Sequence, residues 1–348
     1  MSGHGVKHTW TAAIHGIAAP RGGVISHAEL RALEVDPALP SREVRRGRWQ
    51  RLLPGVYLTS PGEPELHQQC HAALLHGGPR SLITGAAGCA LHGVATRGAT
   101  SLMLLLPHEV RVVQTPSCQV TRSRSLPEPR LLGPKGLEPI RVAPLGRCLV
   151  DALGRATDLA AARALASSTL RNRGGLWDVL SVAAYRPGPG KGLLRQVVRD
   201  LEDGVRSAPE GSLHDALLPA AGAGRLPSYL LNPDLLLDGE LIGSPDAYFP
   251  GLGLGDEQDS REHHGSVDDL DATLLRHERF SRRGLYLNHT TPTRFSRDPA
   301  AHVAKLVTLV GERTSLAVPE PPGLVVLGRG PLLPARTPWP QVDSSRRF

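Results

Sequence analysis

Aromatic side chains make up only 4% of this 348-residue chain, and that scarcity decides how its interiors are filled. A buried ring removes on the order of 150–250 Å² from water, and few rings are present to do so. With 40% hydrophobic residues, the cores must be built from Leu, Val and Ala, and the length admits two or three domains. The sequence contains no run of eighteen uninterrupted apolar residues, and MSGHGVKHTW lacks the apolar stretch of a secretion signal. A cytoplasmic protein with no membrane partner is therefore expected. Cys70, Cys89, Cys118 and Cys148 lie far apart without a CxxC pair, which argues against a zinc ribbon or a disulfide framework and predicts buried thiols.

Charge is unevenly spread. Residues 1–150 hold 17 Lys and Arg against 9 Asp and Glu, while residues 151–348 hold 23 against 24, so +8 and −1 make up the net +7. A positive field confined to one part of a chain suits a polyanion such as double-stranded DNA.

The basic part reads as a sequence of short elements. Residues 9–18 predict a helix with Trp10, Ile14 and Ile17 on one face, ended by Pro20, Gly22 and Gly23. Ser26 and Glu29 form a capping box that opens a helix carrying Leu30, Leu33 and Val35. After Pro40, Ser41 is expected to cap a second helix, SREVRRGRW, from which Arg42, Arg45, Arg46 and Arg48 project. Arg51 follows in WQRLLPGVYLTSPG, which predicts two short strands around Pro54 and Gly55. Helix, turn, arginine-bearing helix and hairpin is the order of a winged helix-turn-helix over residues 1–62, with the second helix in the major groove and the wing on phosphates. A solvated arginine face is the alternative, but four arginines within seven residues repel one another unless an anion is near.

The helix pair around Ser26–Val35, the run Val44–Trp49, and Arg51–Tyr57 ending in Pro-Gly-Val-Tyr resemble the AbiEi-type antitoxin and transcriptional-regulator family. The resemblance continues through Leu82–Ala87, Leu91-His92-Gly93 and Leu102–Leu106, over about the first 150 residues. It implies operator DNA as the partner of this part, and a cognate toxin as a further one.

Residues 63–205 read as an α+β scaffold. A helix, a turn and a small-residue helix (Thr84–His92) precede two strands, SLMLLLP and CQVTRSR, and a long Ala-rich helical stretch follows from Leu149. The loop at Arg186–Gly192 lacks the order of a phosphate loop and is expected to connect helices.

Residues 206–317 hold the clearest chemistry. Glu210 opens a helix with Leu213, Leu217 and Leu218 as its stripe, and LLLDGELIG predicts a hairpin turning at Asp238-Gly239. In Glu257-x-Asp259 alternate side chains share one strand face, and Asp246 on a paired strand can face them. Such carboxylates repel unless a divalent cation neutralises them, and Mg²⁺ suits oxygen-only ligands, polarising a phosphodiester and activating water. Asp246, Glu257 and Asp259 are thus candidate catalytic residues. In GLGLGDEQDS, however, glycine alternates where a core strand carries β-branched residues, which predicts a weak or bulged strand. His264 and His277 are candidate partners of the carboxylates or phosphate contacts, whereas His263 and His289 are expected at the surface.

Glu210, Ile242–Tyr248, Glu257-x-Asp259-Ser260-Arg261-Glu262-x-His264, Thr273, Arg276-His277, Gly284 and Thr291-Pro292 keep the order and spacing of the Vsr-like branch of the PD-(D/E)XK restriction-endonuclease superfamily, which they resemble. The resemblance implies a mixed sheet flanked by helices, with Glu210, Asp246 and Glu257 as metal ligands. Asp259 stands where the motif usually has lysine. Residues 318–348, rich in Pro and Gly, are expected to be an extended or disordered tail. The fold class is α+β and multidomain. Two functions follow: a DNA-binding regulator or antitoxin with a nuclease-like C-terminal domain, or a Mg²⁺-dependent endonuclease targeted by its winged helix. A toxin neutraliser without DNA contact leaves the arginines unexplained.

Overall fold

The computed structural model describes residues 3–96, 102–170, 176–185, 191–258 and 267–327. The described residues form a mixture of helices and four small sheets, and the chain divides into two compact units. The first comprises residues 1–157, 168–183 and 187–191; the second comprises 158–167, 184–186 and 192–348. Residues 1–62 and 63–157 thus share a unit, and residues 192–205 group with those after 206. No described helix is long and apolar enough to cross a membrane.

The first unit begins with α1 (Gly3–Ala18), β1 (Val24–Ser26), α2 (His27–Ala32), α3 (Leu39–Arg45), β2 (Gln50–Leu53) and β3 (Val56–Leu58). Ile14 and Ala18 of α1 meet Ile25, Leu30 and Val35 in a small core, with Trp10, Ile17, Leu33, Trp49 and Tyr57 around it. The capping box is present: Glu29 N–H donates to Ser26 Oγ at 3.2 Å, and Ser26 N–H donates back to Glu29 Oε2 at 2.8 Å. Helix α3 does not start at Ser41. It starts two residues earlier, with Pro40 inside the first turn, where a missing N–H costs nothing. The three strands form an antiparallel sheet in the order β1-β3-β2, and Gly55 makes the hairpin turn at a φ of 71°.

The unit continues through α4 (Leu66–Gly77), β4 (Leu82–Thr84), α5 (Gly85–Leu91), β5 (Leu102–Pro107), β6 (Cys118–Ser123), β7 (Arg130–Leu132), β8 (Ile140–Val142) and α6 (Leu145–Leu153). Its mixed sheet runs β6-β5-β4-β8-β7. Every residue of β5 is buried, as its unbroken LMLLLP demands of a central strand. The four cysteines form no disulfide and are all buried, and burial pushes the Cys70 thiol up to about 12.

Helices α7 (Leu159–Leu170) and α8 (Trp177–Tyr185) give residues to both units, and the expected loop at Arg186–Gly192 lies largely outside the described residues. The second unit then runs α9 (Gly192–Glu202), α10 (Ala208–Gly222), β9 (Leu230–Leu231), β10 (Asp234–Leu237), β11 (Glu240–Gly243), β12 (Ala247–Phe249), β13 (Leu254–Gln258), α11 (Val267–Ser281), β14 (Tyr286–Thr290), α12 (Pro292–Arg297), α13 (Pro299–Ser315) and β15 (Leu324–Leu327). Its main sheet runs β14-β13-β12-β9, with β13 and β14 parallel across the α11 crossover. A second sheet runs β11-β10-β15, and Asp238 and Gly239 turn its hairpin at positive φ of 52° and 84°.

Two cores flank the main sheet. One packs Leu213, Leu217, Val303 and Leu306 of α10 and α13 against Ala247, Phe249 and Leu254. The other packs Phe280 against Leu235, Ile242, Tyr248 and Leu287. Buried Arg163 donates Nε to Asp200 at 2.7 Å and both terminal nitrogens to Asp215 at 2.6 and 2.9 Å.

Two sequence expectations fail here. Strand β13 is neither bulged nor weak: it pairs in unbroken register with β12 and β14. Gly255 fits closely there: a Cβ would come within 2.8 Å of Leu287 Cδ1 and 3.2 Å of Pro245 Cβ, so these neighbours would have to shift. The glycine makes room for a neighbour's side chain. The expected tail also contributes structure, since residues 324–327 form β15, antiparallel to β10, and Glu320 accepts from Tyr248 Oη at 2.5 Å. Residues 328–348 lie outside the described part.

Candidate functional site

Two charged constellations stand out, one in each unit. In the first, α3 ends at Arg45, and Gly47, at a φ of 68°, turns the chain into β2. Arg45, Arg46, Arg48 and Arg51 are exposed. Buried Glu43 braces two of them, with Arg46 Nη1 at 3.2 Å and Arg48 Nε at 2.6 Å. Arg42 lies 2.6 Å from Asp36, whose carboxyl is held below the usual range by the Ala38 N–H and then by Arg42. Among the described residues Arg45 donates to the Ser41 carbonyl alone, at 3.4 Å. Two acids against five arginines leave a surplus of positive charge on the end of α3 and on the adjoining hairpin. The Arg42–Asp36 pair is exposed on both sides, and such pairs are individually weak and exchange readily for another anion.

The second constellation follows from strand register. Ala247 faces Asp256 across β12 and β13, so Asp246 falls opposite Glu257, and Glu257 in turn faces His289 of β14. On the other side, Asn232 N–H donates to the Asp246 carbonyl at 3.1 Å. Laterally paired residues share a face, so Asn232, Asp246, Glu257 and His289 form one row across the sheet. Helices add the rest. Arg276 of α11 reaches Glu257 at 2.9 Å, and the His277 ring stacks on His289 with centroids 3.7 Å apart. Glu210 of α10 accepts from Asn232 Nδ2 at 2.6 Å, and also from Arg206 N–H and Ser207 Oγ, both at 2.7 Å.

Burial, and then the Glu210, Glu257 and Asp256 carboxylates, push Asp246 up to about 7, against a single opposing hydrogen bond from Gln258 N–H at 2.7 Å. A carboxyl titrating near neutrality beside a carboxylate and a pair of imidazoles can hold or release a proton at physiological pH.

Of the candidate catalytic and metal-binding residues, Glu210, Asp246 and Glu257 are thus brought into one electrostatic neighbourhood. Asp259, His263 and His264 lie outside the described residues. His277 stands beside the row as expected. His289 is half-buried in it, not at the surface, because it occupies the β14 position level with Glu257. Asn232 carries no signal in the sequence; Arg276 stands among the residues that resemble Vsr-like nucleases, but its ion pair with Glu257 is not legible there, because it depends on how α11 packs against the sheet.

An Mg²⁺ ion asks for open carboxylate oxygens converging on a point. The donor chemistry here is right, but the arrangement is not. Both Glu210 oxygens accept protein donors, Glu257 is tied to Arg276, and Asp246 takes the Gln258 N–H. Among the described residues no three acid, His or Cys side chains close into a metal-binding group. As the side chains stand, the row does not fit the cation, and no step is derived through one.

No protein-family model matches the sequence, and no curated protein matches it. The likenesses to AbiEi-type regulators and Vsr-like nucleases rest on the motifs that carry them.

Proposed function

We propose that the chain binds double-stranded DNA through its first unit and acts as a transcriptional regulator of the AbiEi type, with the antitoxin role and a cognate toxin following from that resemblance. The observation that carries this reading is the exposed group of Arg45, Arg46, Arg48 and Arg51 where α3 meets the β2–β3 hairpin. Their element order, α1-β1-α2-α3-β2-β3, supports reading them as a winged helix-turn-helix, with α3 for the major groove and the hairpin as wing. Glu43 orients Arg46 and Arg48 without cancelling them, so phosphates complete the charge balance.

The test is a salt titration of binding to duplex DNA by fluorescence anisotropy. Arg45→Ala with Arg46→Ala lowers affinity and reduces the slope of log K against log salt by about 0.9 for each phosphate that is no longer neutralised. A folded double variant with unchanged affinity and slope would overturn the reading.

A second reading, a restriction-endonuclease-like domain that cuts DNA with Mg²⁺, is favoured by the placement of Asp246 opposite Glu257 and by the parallel β13–α11–β14 crossover behind them. We rank it below the first because the carboxylates are held by protein donors. Plasmid incubated with the protein and Mg²⁺ or Mn²⁺ stays intact on the first reading. Cleavage that EDTA stops and Asp246→Asn abolishes would establish the second.

A further inference from the structure

We propose, resting on the DNA-binding reading of the first unit, that Arg48 is a base-reading side chain, held by Glu43 to take the edge of a guanine in the major groove. The observation behind this is an acid placed where a polyanion is to be met. Glu43 is 9% exposed, and its carboxylate engages two of the exposed arginines, Arg46 and Arg48.

Arg48 is fixed to Glu43 at both ends. Its backbone N–H donates to the Glu43 carbonyl at 3.1 Å as the chain leaves α3 through Gly47, and Trp49 N–H donates to the same oxygen at 3.2 Å. Its guanidinium lies side-on against the Glu43 carboxylate: Nη2 donates to Oε1 at 2.9 Å, and Nε is 2.6 Å from Oε2. Arg46 Nη1, donating to Oε1 at 3.2 Å, is a further hold on the carboxylate. The side edge of the Arg48 fork is thereby occupied. Its end edge, Nη1 with the second Nη2 hydrogen, is left for a ligand on a side chain that is 60% exposed.

Such bracing weakens a phosphate contact and favours a base contact. A phosphate draws a cation by charge, and a carboxylate on the same guanidinium subtracts from that attraction. A base edge asks instead for direction, with two donors aligned in the plane of the base pair. Glu43 supplies the direction, because a long side chain already held loses less freedom on binding. Arginine carries donors only, and guanine alone among the bases shows two acceptors, N7 and O6, to the major groove. Arg45 has the opposite character. With a single 3.4 Å contact to the Ser41 carbonyl among the described residues, it keeps its full charge and little direction, as phosphate neutralisation requires.

The test uses the full chain. The unmodified protein selects duplexes from a randomised library, and each enriched guanine in turn is replaced by 7-deazaguanine, which lacks the N7 acceptor. At one guanine the replacement weakens binding about fivefold or more, and in Arg48→Ala the same replacement has no further effect, as a double-mutant cycle requires of a direct pair. Arg48→Lys, which keeps the charge but not the fork, behaves as Arg48→Ala does. Both variants keep the salt slope of the unmodified chain, since no phosphate contact is lost. Glu43→Gln retains both backbone bonds to its carbonyl; it binds an unselected duplex at least as well but loses about fivefold or more on the selected one. Charge alone would raise both affinities, so this split is the mark of a positioning residue. The proposal is overturned if Arg48→Ala stays sensitive to every replacement, if it lowers the slope by about 0.9, or if Glu43→Gln tightens binding to both duplexes. Binding that enriches no guanine overturns it alone, whereas a chain that binds no duplex overturns the DNA-binding reading with it.

Discussion

Asp256 and Asp246 belong to opposite faces of one four-stranded sheet, and their surroundings differ more than their burial does. Asp256 is 0% exposed, yet Asn288 Nδ2 donates to one oxygen at 2.6 Å and His302 Nε2 meets the other at 2.8 Å. Asp246 is only half-buried, but it has one backbone donor and stands among other carboxylates, which helps lift it to about 7. Burial sets the demand for compensation, and the donors and neighbouring charges decide whether it is met. The first face is a finished structural element. The second is left responsive to pH.

The largest expected effect breaks the finished face. Asp256→Ala strands the Asn288 amide and the His302 ring in the core, and chemical denaturation should register a loss of about 3 kcal/mol or more. A loss below about 1 kcal/mol would mean that the buried group is dispensable, and the contrast would fall. Next is the responsive face. The folded-state value of Asp246, about 7, lies above the ordinary 3.8, so the native state binds the extra proton between those values and loses stability as pH rises through that window. Asp246→Asn therefore stabilises by about 2 kcal/mol at pH 8 and by little near pH 4, where the wild-type carboxyl is also neutral in both states. Stability curves for the two proteins that run parallel across this range would show that Asp246 carries no such load. The smallest effect concerns the stacked imidazoles: His277→Ala costs about 1 kcal/mol in thermal denaturation, the worth of one ring pair.

What the sequence discloses follows the range over which each cause acts. The Ser26–Glu29 capping box and the Asp238-Gly239 hairpin depend on residues a few positions apart, and both form as their motifs predict. Strand β13 reads as weak from its own residues because the partner close against Gly255, Leu287, is distant in sequence and becomes a neighbour only once β14 pairs in parallel. The same pairing makes His289 part of the acidic row. Asp246 and Glu257 can be named from strand alternation and Glu210 from the resemblance to Vsr-like nucleases, but not the contacts that occupy them, since Asn232 and Arg276 meet them through tertiary contact.

The placement of β15 has a consequence for the order in which the second unit is put together. Strand β10 is complete as soon as its hairpin with β11 closes, yet its other edge must wait for residues 324–327, which follow the whole main sheet and α13. During synthesis that edge is bare while β12, β13 and β14 assemble, and an unpaired edge is a template for any extended segment that meets it. Closing so long a loop late adds little entropy per residue, but it leaves the join dependent on a few hydrogen bonds and on the Glu320 contact to Tyr248. Strand β15 is therefore a clasp, fastened only after the main sheet and α13 have been made, and chains that lack it would expose an adhesive rim.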